Sequence, residues 1–161
     1  MKFLADAMLG KLAKWLRILG YDVTYWKSPD PDHFFLCARE EGRTILTKNR
    51  RLPKEAQGLR VLLIESDFWR EQVAQVVRAF RLRPGQARYR RCLLCNRRLL
   101  SVPKERVQGK VPDFVYVQQE SFHRCPQCGR VYWQGSHLSA MTHTLSQILS
   151  FPAPRGRSPE P

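Results

Sequence analysis

The chain has 161 residues, 43% of them apolar and 26% charged, which excludes a disordered or collagen-like polymer and leaves room for one ordinary domain or two small ones. Against 14 Asp and Glu stand 28 Lys and Arg, a net charge of +14 with a pI near 10.2, and such an excess points to a polyanionic partner, most simply nucleic acid. An anionic membrane surface fits the charge as well, but no run of 18 apolar residues offers a spanning helix. The apolar start Met1-Lys2-Phe3-Leu4-Ala5 is cut short by Asp6, so no secretory signal is read and a cytoplasmic location is expected.

Lys2 to Ala5 reads as a short buried strand ending on Asp6. Leu9, Leu12, Ala13, Leu16 and Leu19 then recur at helical spacing, with Lys11, Lys14 and Arg17 assigned to the solvent side and Gly20 stopping the helix in a left-handed conformation. This stretch resembles a basic transit peptide in composition, and its regular apolar face reads as a core helix instead. Val23 to Trp26 is a second β-rich run. Asp30 followed by Pro31 is a helix start, capping residue then proline, and the helix carries Phe34, Phe35, Cys37 and Ala38 to Gly42. Cys37 lies on its apolar stripe and reads as a core thiol. Thr44 to Thr47 and Val61 to Ile64 are further strands, and Trp69, Val73, Val76, Val77 and Phe80 form the stripe of a last helix. Short apolar strands alternating with amphipathic helices imply a three-layer α/β/α domain with a parallel sheet over residues 1–83.

Residues 83–86, Arg-Pro-Gly-Gln, read as a linker, after which cysteines and short β runs replace long helices. Residues 84–161 hold 12 basic and 4 acidic residues against 16 and 10 in residues 1–83, so the second half is the more cationic. Cys92-Leu93-Leu94-Cys95 and Cys125-Pro126-Gln127-Cys128 are two C-x-x-C knuckles, and two knuckles complete a tetrahedral four-sulfur site. With Phe114–Val117 and Val131–Trp133 read as strands, residues 88–142 become a small β zinc ribbon holding a structural zinc on Cys92, Cys95, Cys125 and Cys128. Disulfide chemistry is the rival reading, disfavoured in a chain that looks intracellular. His123, His137 and His143 are alternative ligands, better read as surface or hydrogen-bonding groups. Arginines including Arg88, Arg90, Arg91, Arg97, Arg98, Arg124 and Arg130 crowd the knuckles, with Tyr89, Tyr132 and Trp133 interleaved. Guanidinium groups bind phosphates and aromatic faces accept unpaired bases, which makes this half the expected RNA-binding face, against the plainer reading of a solvated basic surface. The tail 151–161, with four prolines, reads as disordered.

Ligands of an open parallel sheet bind beyond the carboxyl ends of its strands. Asp6, the Asp30/Asp32 pair, Asn49 and Glu65/Asp67 fall there. Carboxylates gathered at such a mouth suit a magnesium- or manganese-dependent phosphodiesterase. Each position also has a structural explanation: Asp30 and Asp67 as helix caps, Asp32 as a helix-dipole partner, Asn49 as a turn residue.

Several motifs, taken in order, are familiar. Phe3-Leu4-Ala5-Asp6, Met8-Leu9-Gly10-Lys11-Leu12-Ala13-Lys14-Trp15-Leu16-Arg17, Gly20-Tyr21-Asp22, Gly42-Arg43-Thr44-Ile45-Leu46-Thr47-Lys48, Arg91-Cys92-Leu93-Leu94-Cys95-Asn96 and Tyr132-Trp133-Gln134-Gly135-Ser136-His137 resemble the Mut-seven C-terminal RNase family, a PIN-like group, over about residues 1–140. The resemblance implies a PIN-like α/β domain fused to a zinc ribbon and a metal-dependent RNase activity. Asp6 matches the family's first acidic position, and Asp30 or Asp32 falls where the second is expected. Asn49 stands where the family usually places Asp; an amide oxygen still coordinates a hard cation but brings no charge.

Two readings follow. In the first, an RNase acts on single-stranded or structured RNA: Asp6 and Asp32 hold magnesium or manganese, Asp30, Asn49 or Asp67 complete the shell, and Lys11, Lys48 and Arg50 clamp phosphates. In that reading Arg91, Arg97, Arg98, Arg124 and Trp133 hold the RNA. In the second, Asn49 marks a degenerate site and the chain is a non-catalytic RNA-binding module.

Overall fold

Four short strands, Lys2–Ala5 (β1), Asp22–Tyr25 (β2), Thr44–Thr47 (β3) and Val61–Leu63 (β4), pair in parallel in the order β2-β1-β3-β4. They belong to a computed structural model that describes residues 1–28, 30–83 and 89–150, and of Ser136, His137, Leu138 and Leu149 the backbone alone. The 84–86 part of the expected linker, Arg88 and the tail 151–161 lie outside the described residues.

The central strands are buried on both faces, as their unbroken apolar runs require. Helices Gly10–Ile18 (α1) and Trp69–Ala79 (α4) cover one face, packing Leu9, Leu12, Leu16, Val73 and Val76 against Phe3, Ala5, Leu46 and Ile64. Trp15 and Trp69 stack between these helices with ring centroids 4.8 Å apart. Helix Pro31–Glu40 (α2) and the short Leu52–Glu55 (α3) cover the other face around Leu4, Phe34, Ala38 and Ile45. The order of connections therefore changes direction between β1 and β3. The predicted punctuation holds at three points: Gly20 takes φ +95° behind α1, Asp30 accepts from the Asp32 and His33 N–H groups at the start of α2, and Gly42 takes φ +60° behind it. Cys37, expected in the core, is half-buried beside Glu41, and burial raises its pKa.

The second half differs more from expectation. Its sheet is antiparallel, Leu100–Val102 (β5), Phe122–Arg124 (β6) and Val131–Trp133 (β7), in that order. Residues 114–117, expected as a strand, lie in the helix Asp113–Gln118 (α5). Val115 of α5 joins Val107 and Val111, from the turn and bend before it, in a cluster on Phe122, and that packing overrides the β propensity of Phe-Val-Tyr-Val. The helix Ser136–Leu149 (α6) had no counterpart in the expected elements, and the boundary expected at 142 falls inside it. It returns to the first sheet, burying Leu145 and Ile148 in the core formed by α1 and α4.

Arg17 is the sharpest correction. Expected at the surface, it is 6% exposed. Its Nε and Nη2 donate to the Val23 carbonyl at 3.0 and 2.8 Å, and Nη1 donates to the Leu93 and Leu94 carbonyls at 2.7 and 2.9 Å. Helical periodicity gives the direction of a side chain, not what a later segment brings against it. Arg17→Met should leave three carbonyls, that of Val23 buried and those of Leu93 and Leu94 partly so, without this donor and cost about 3 kcal/mol. Arg17→Lys should recover little of it, since an ammonium lacks the planar fork. Chemical unfolding of the two variants measures both.

Candidate functional site

The four knuckle cysteines come together: their sulfurs all lie within 4.8 Å of one another, and no disulfide joins them. Cys92 and Cys128 Sγ are 3.7 Å apart. A tetrahedral ion with metal–sulfur bonds of about 2.3 Å requires sulfur–sulfur edges of about 3.8 Å, whereas a disulfide requires about 2.05 Å. The two knuckles are built alike. Cys92 N–H donates to the Arg97 carbonyl and Cys125 N–H to that of Arg130; Asn96 and Gly129 then take φ +62° and +72° and return N–H groups to the Cys92 and Cys125 carbonyls. Cys95 and Cys128 N–H groups point at Cys92 and Cys125 Sγ, at 3.4 and 3.5 Å. Burial pushes the Cys92 thiol up, but hydrogen bonds led by the Tyr132 hydroxyl outweigh it and bring the pKa to about 6. Burial and neighbouring thiols push Cys95 and Cys125 up. Four thiolates this close stay ionised only with a cation among them, and the donor set fits structural zinc.

The first knuckle is fastened to the open edge of β2. Asn96 Oδ1 accepts from Val23 N–H at 3.0 Å, and its Nδ2 donates to Asp22 Oδ1 at 2.8 Å. Arg43 Nη1 donates to the same Asp22 oxygen at 2.7 Å, and Arg91 Nη2 lies 3.4 Å from the other. Burial raises the Asp22 pKa, and these cationic and amide donors more than reverse it, leaving the carboxyl below its ordinary value.

At the other end of the sheet, Asp6 follows β1 where the connections change direction. Its Oδ2 accepts from Thr47 Oγ1 at 2.5 Å and Lys48 N–H at 3.0 Å, and its Oδ1 accepts from Met8 N–H at 2.9 Å. The Lys48 ammonium pairs with Asp67, which is otherwise exposed. Asn49 N–H donates to Thr47 Oγ1, and Asn49 Oδ1 accepts from Arg51 N–H, so the amide closes a turn. Asp6, Asn49 and Asp67 thus join one bonded network through Thr47 and Lys48. Asp30 and Asp32 stand apart from it on α2. Asp30 caps that helix and pairs with His33 at 2.5 Å, which lowers the Asp30 pKa and raises that of His33, while Asp32 has no side-chain partner among the described residues. Among the described residues, the cysteine cluster is the sole group of three or more His, Cys, Asp or Glu ligand atoms this close together.

The expected phosphate contacts divide in the same way. Lys11 and Arg50 are exposed near the mouth. Arg97, Arg98 and Arg124 are exposed near the knuckles, with Arg97 Nε on Gln127 and Arg124 Nε on the Gly129 carbonyl. Trp133 packs against the Val107–Phe122 cluster. Arg91 is taken up by structure: Nε donates to the Gly20 carbonyl at 3.1 Å and Nη1 to that of Asn96 at 2.7 Å. Sequence reasoning missed Thr47, Arg17 and Asn96. All three lie inside the motifs quoted above, which was the available signal.

A family model described as the Mut7-C RNAse domain matches residues 1–145. The chain belongs to this family. No curated protein and no solved structure matches it. The match spans the parallel α/β sheet, the small second sheet and the four-cysteine cluster, and ribonuclease-type function follows from the family. Among the described residues no helix is long and apolar enough to cross a membrane.

Elemental analysis should find one zinc per chain, abolished by Cys125→Ser. Because Leu93, Leu94 and Asn96 fasten β2, chelation should lower the melting temperature of the whole α/β sheet, not of the second half alone. Hydrogen exchange at the Val23 amide reads this directly.

Proposed function

We propose that the chain is a ribonuclease cutting RNA at the mouth formed where β1 and β3 end, with the cysteine-bearing half holding the RNA. The observation that carries the reading is Asp6: a carboxylate fixed by three donors at the point where strand connections change direction, the place such sheets bind ligands. A carboxylate has about four acceptor positions, so one on Asp6 Oδ1 stays available. This set does not fit an ion gripped by three protein carboxylates. It fits magnesium or manganese held by Asp6 alone among the carboxylates of this network, while waters and RNA phosphates complete the shell; Asp32, the expected second ligand, stands apart on α2. Such an ion activates water and neutralises charge on the scissile phosphate.

The chain's own groups do the rest. Thr47 Oγ1 and the Lys48 N–H hold the Asp6 carboxylate in a fixed orientation. Lys48, released from Asp67 by a stronger anion, binds the phosphate beside the scissile bond. Lys11, in the first turn of α1, adds charge at a helix start that carries no acidic residue. Arg50, Arg97, Arg98 and Arg124 hold the backbone on either side, and Asp30 keeps α2 in place. Asn49 supports the second reading, a binding module, because its amide oxygen is already engaged by Arg51 and brings no charge.

Asp6→Asn should lower metal-dependent RNA cleavage by about a hundredfold, the scale seen for losing one electrostatic stabiliser, with RNA affinity and zinc content nearly unchanged. Asn49→Asp should lower the magnesium concentration needed for cleavage. Equal cleavage by Asp6→Asn overturns the site; absence of cleavage in both wild type and Asn49→Asp, with binding intact, selects the binding module.

The second test is salt. Four arginine–phosphate contacts on single-stranded RNA imply a log–log slope of about −3, and Arg97→Gln with Arg98→Gln should reduce it by about 1.4. A flat salt profile contradicts the assignment of the RNA face.

A further inference from the structure

Between the end of α1, the β6–β7 pair and α6 lies a cleft of about 270 Å³ used by neither the cysteine cluster nor the Asp6 mouth. Tyr89, Tyr132 and Trp133 line it, and the surrounding bonds hold these rings in place. The Tyr89 hydroxyl shares a hydrogen bond with Thr142 Oγ1 at 2.8 Å, and its N–H donates to the Ile18 carbonyl. The Tyr132 hydroxyl lies 3.2 Å from Cys92 Sγ and accepts from Leu93 N–H. Gly135 passes so near the Trp133 indole that a Cβ there would stand 3.1 Å from Nε1. Arg90, His123 and Gln134 also reach the cleft, and among the described residues their side chains have no hydrogen-bond or ion-pair partner.

Fixed rings with unengaged donors and acceptors at their rim suit a flat heteroaromatic ligand with a hydrogen-bonding edge. The neighbourhood narrows the class. Arg91 lines both this cleft and a polar groove of about 820 Å³ that continues past Arg97 and Arg98 to Thr24 and Tyr25 on β2. The Tyr25 hydroxyl donates to the Ala7 carbonyl, next to Asp6. A groove lined by five arginines against Asp22 and Glu41 therefore runs from the cleft toward the mouth. The geometry points to the cleft as a receptor for one unpaired RNA base, an anchoring site remote from the bond that is cut. This rests on the RNA reading above and adds to it a second contact point. Ile18 closes α1 at the far end from Asp6, and the nine-residue helix between them is itself about 13 Å long. The anchored base is thus several nucleotides along the strand from the reacting phosphate, and short RNAs that fill only the mouth lack it.

The test uses the full zinc-loaded chain without magnesium, so that RNA stays intact. Single-stranded RNAs carrying 5-iodouracil at successive positions should cross-link to Tyr89, Tyr132 or Trp133 from one position, and the same sequence in a duplex should not. Arg90→Gln with Gln134→Ala, both at exposed positions, should weaken single-stranded RNA binding about tenfold with zinc content unchanged. Cross-links that fall elsewhere, or a double variant within twofold of wild type, overturn the cleft while salt-sensitive wild-type binding leaves the RNA reading standing. Wild-type protein that binds no RNA overturns both.

Discussion

Val23 lies on the outer strand of the parallel sheet, and its outward N–H and C=O would meet solvent or another chain if nothing closed them. Asn96 takes the N–H, and Arg17 takes the carbonyl while gripping Leu93 and Leu94 of the first knuckle. Strand, helix and metal loop are bound through one residue. Such a bridge is possible because the knuckle turn forces position 96 into the left-handed region, where Asn is tolerated and its short amide can act as a surrogate strand partner. The second knuckle has Gly129 at the equivalent place and makes no such contact among the described residues.

The same joint has an electrostatic side. A divalent ion with four thiolates carries two net negative charges, and Arg17 is the nearest buried cation. Burial lowers its pKa, and Cys92, Cys95 and Asp22 raise it again. Burying a guanidinium is costly unless partners compensate it, and here the cysteines of the first knuckle are among them. Strand edge and cysteine cluster are in this sense mutually dependent.

What the sequence made legible follows the range of the forces involved. Apolar periodicity, the Asp30-Pro31 start and the Gly20 and Gly42 stops act within a few residues, and those elements formed as read. The cysteine spacing is likewise local within each knuckle. Arg17 and the helix α6 were not legible, because what buries them comes from remote segments: Leu93 is 76 residues from Arg17, and α6 packs on α1 and α4 from the far end of the chain. The acidic positions were legible as strand ends but not as a constellation. Whether Asp6, Asn49 and Asp67 meet depends on Thr47 and Lys48 choosing their partners, and no pattern in one sequence records that choice.

Helix α6 has a consequence for how the molecule is made. Leu145 and Ile148 cover an apolar surface of α1 and α4 whose other fully buried members are complete by residue 76. A ribosome delivers that surface long before it delivers the cover, and the whole cysteine-bearing segment lies between the two in the chain. During synthesis the α/β layer therefore stays open on one side until α6 emerges. Over that interval its apolar face is a natural handle for chaperones and proteases.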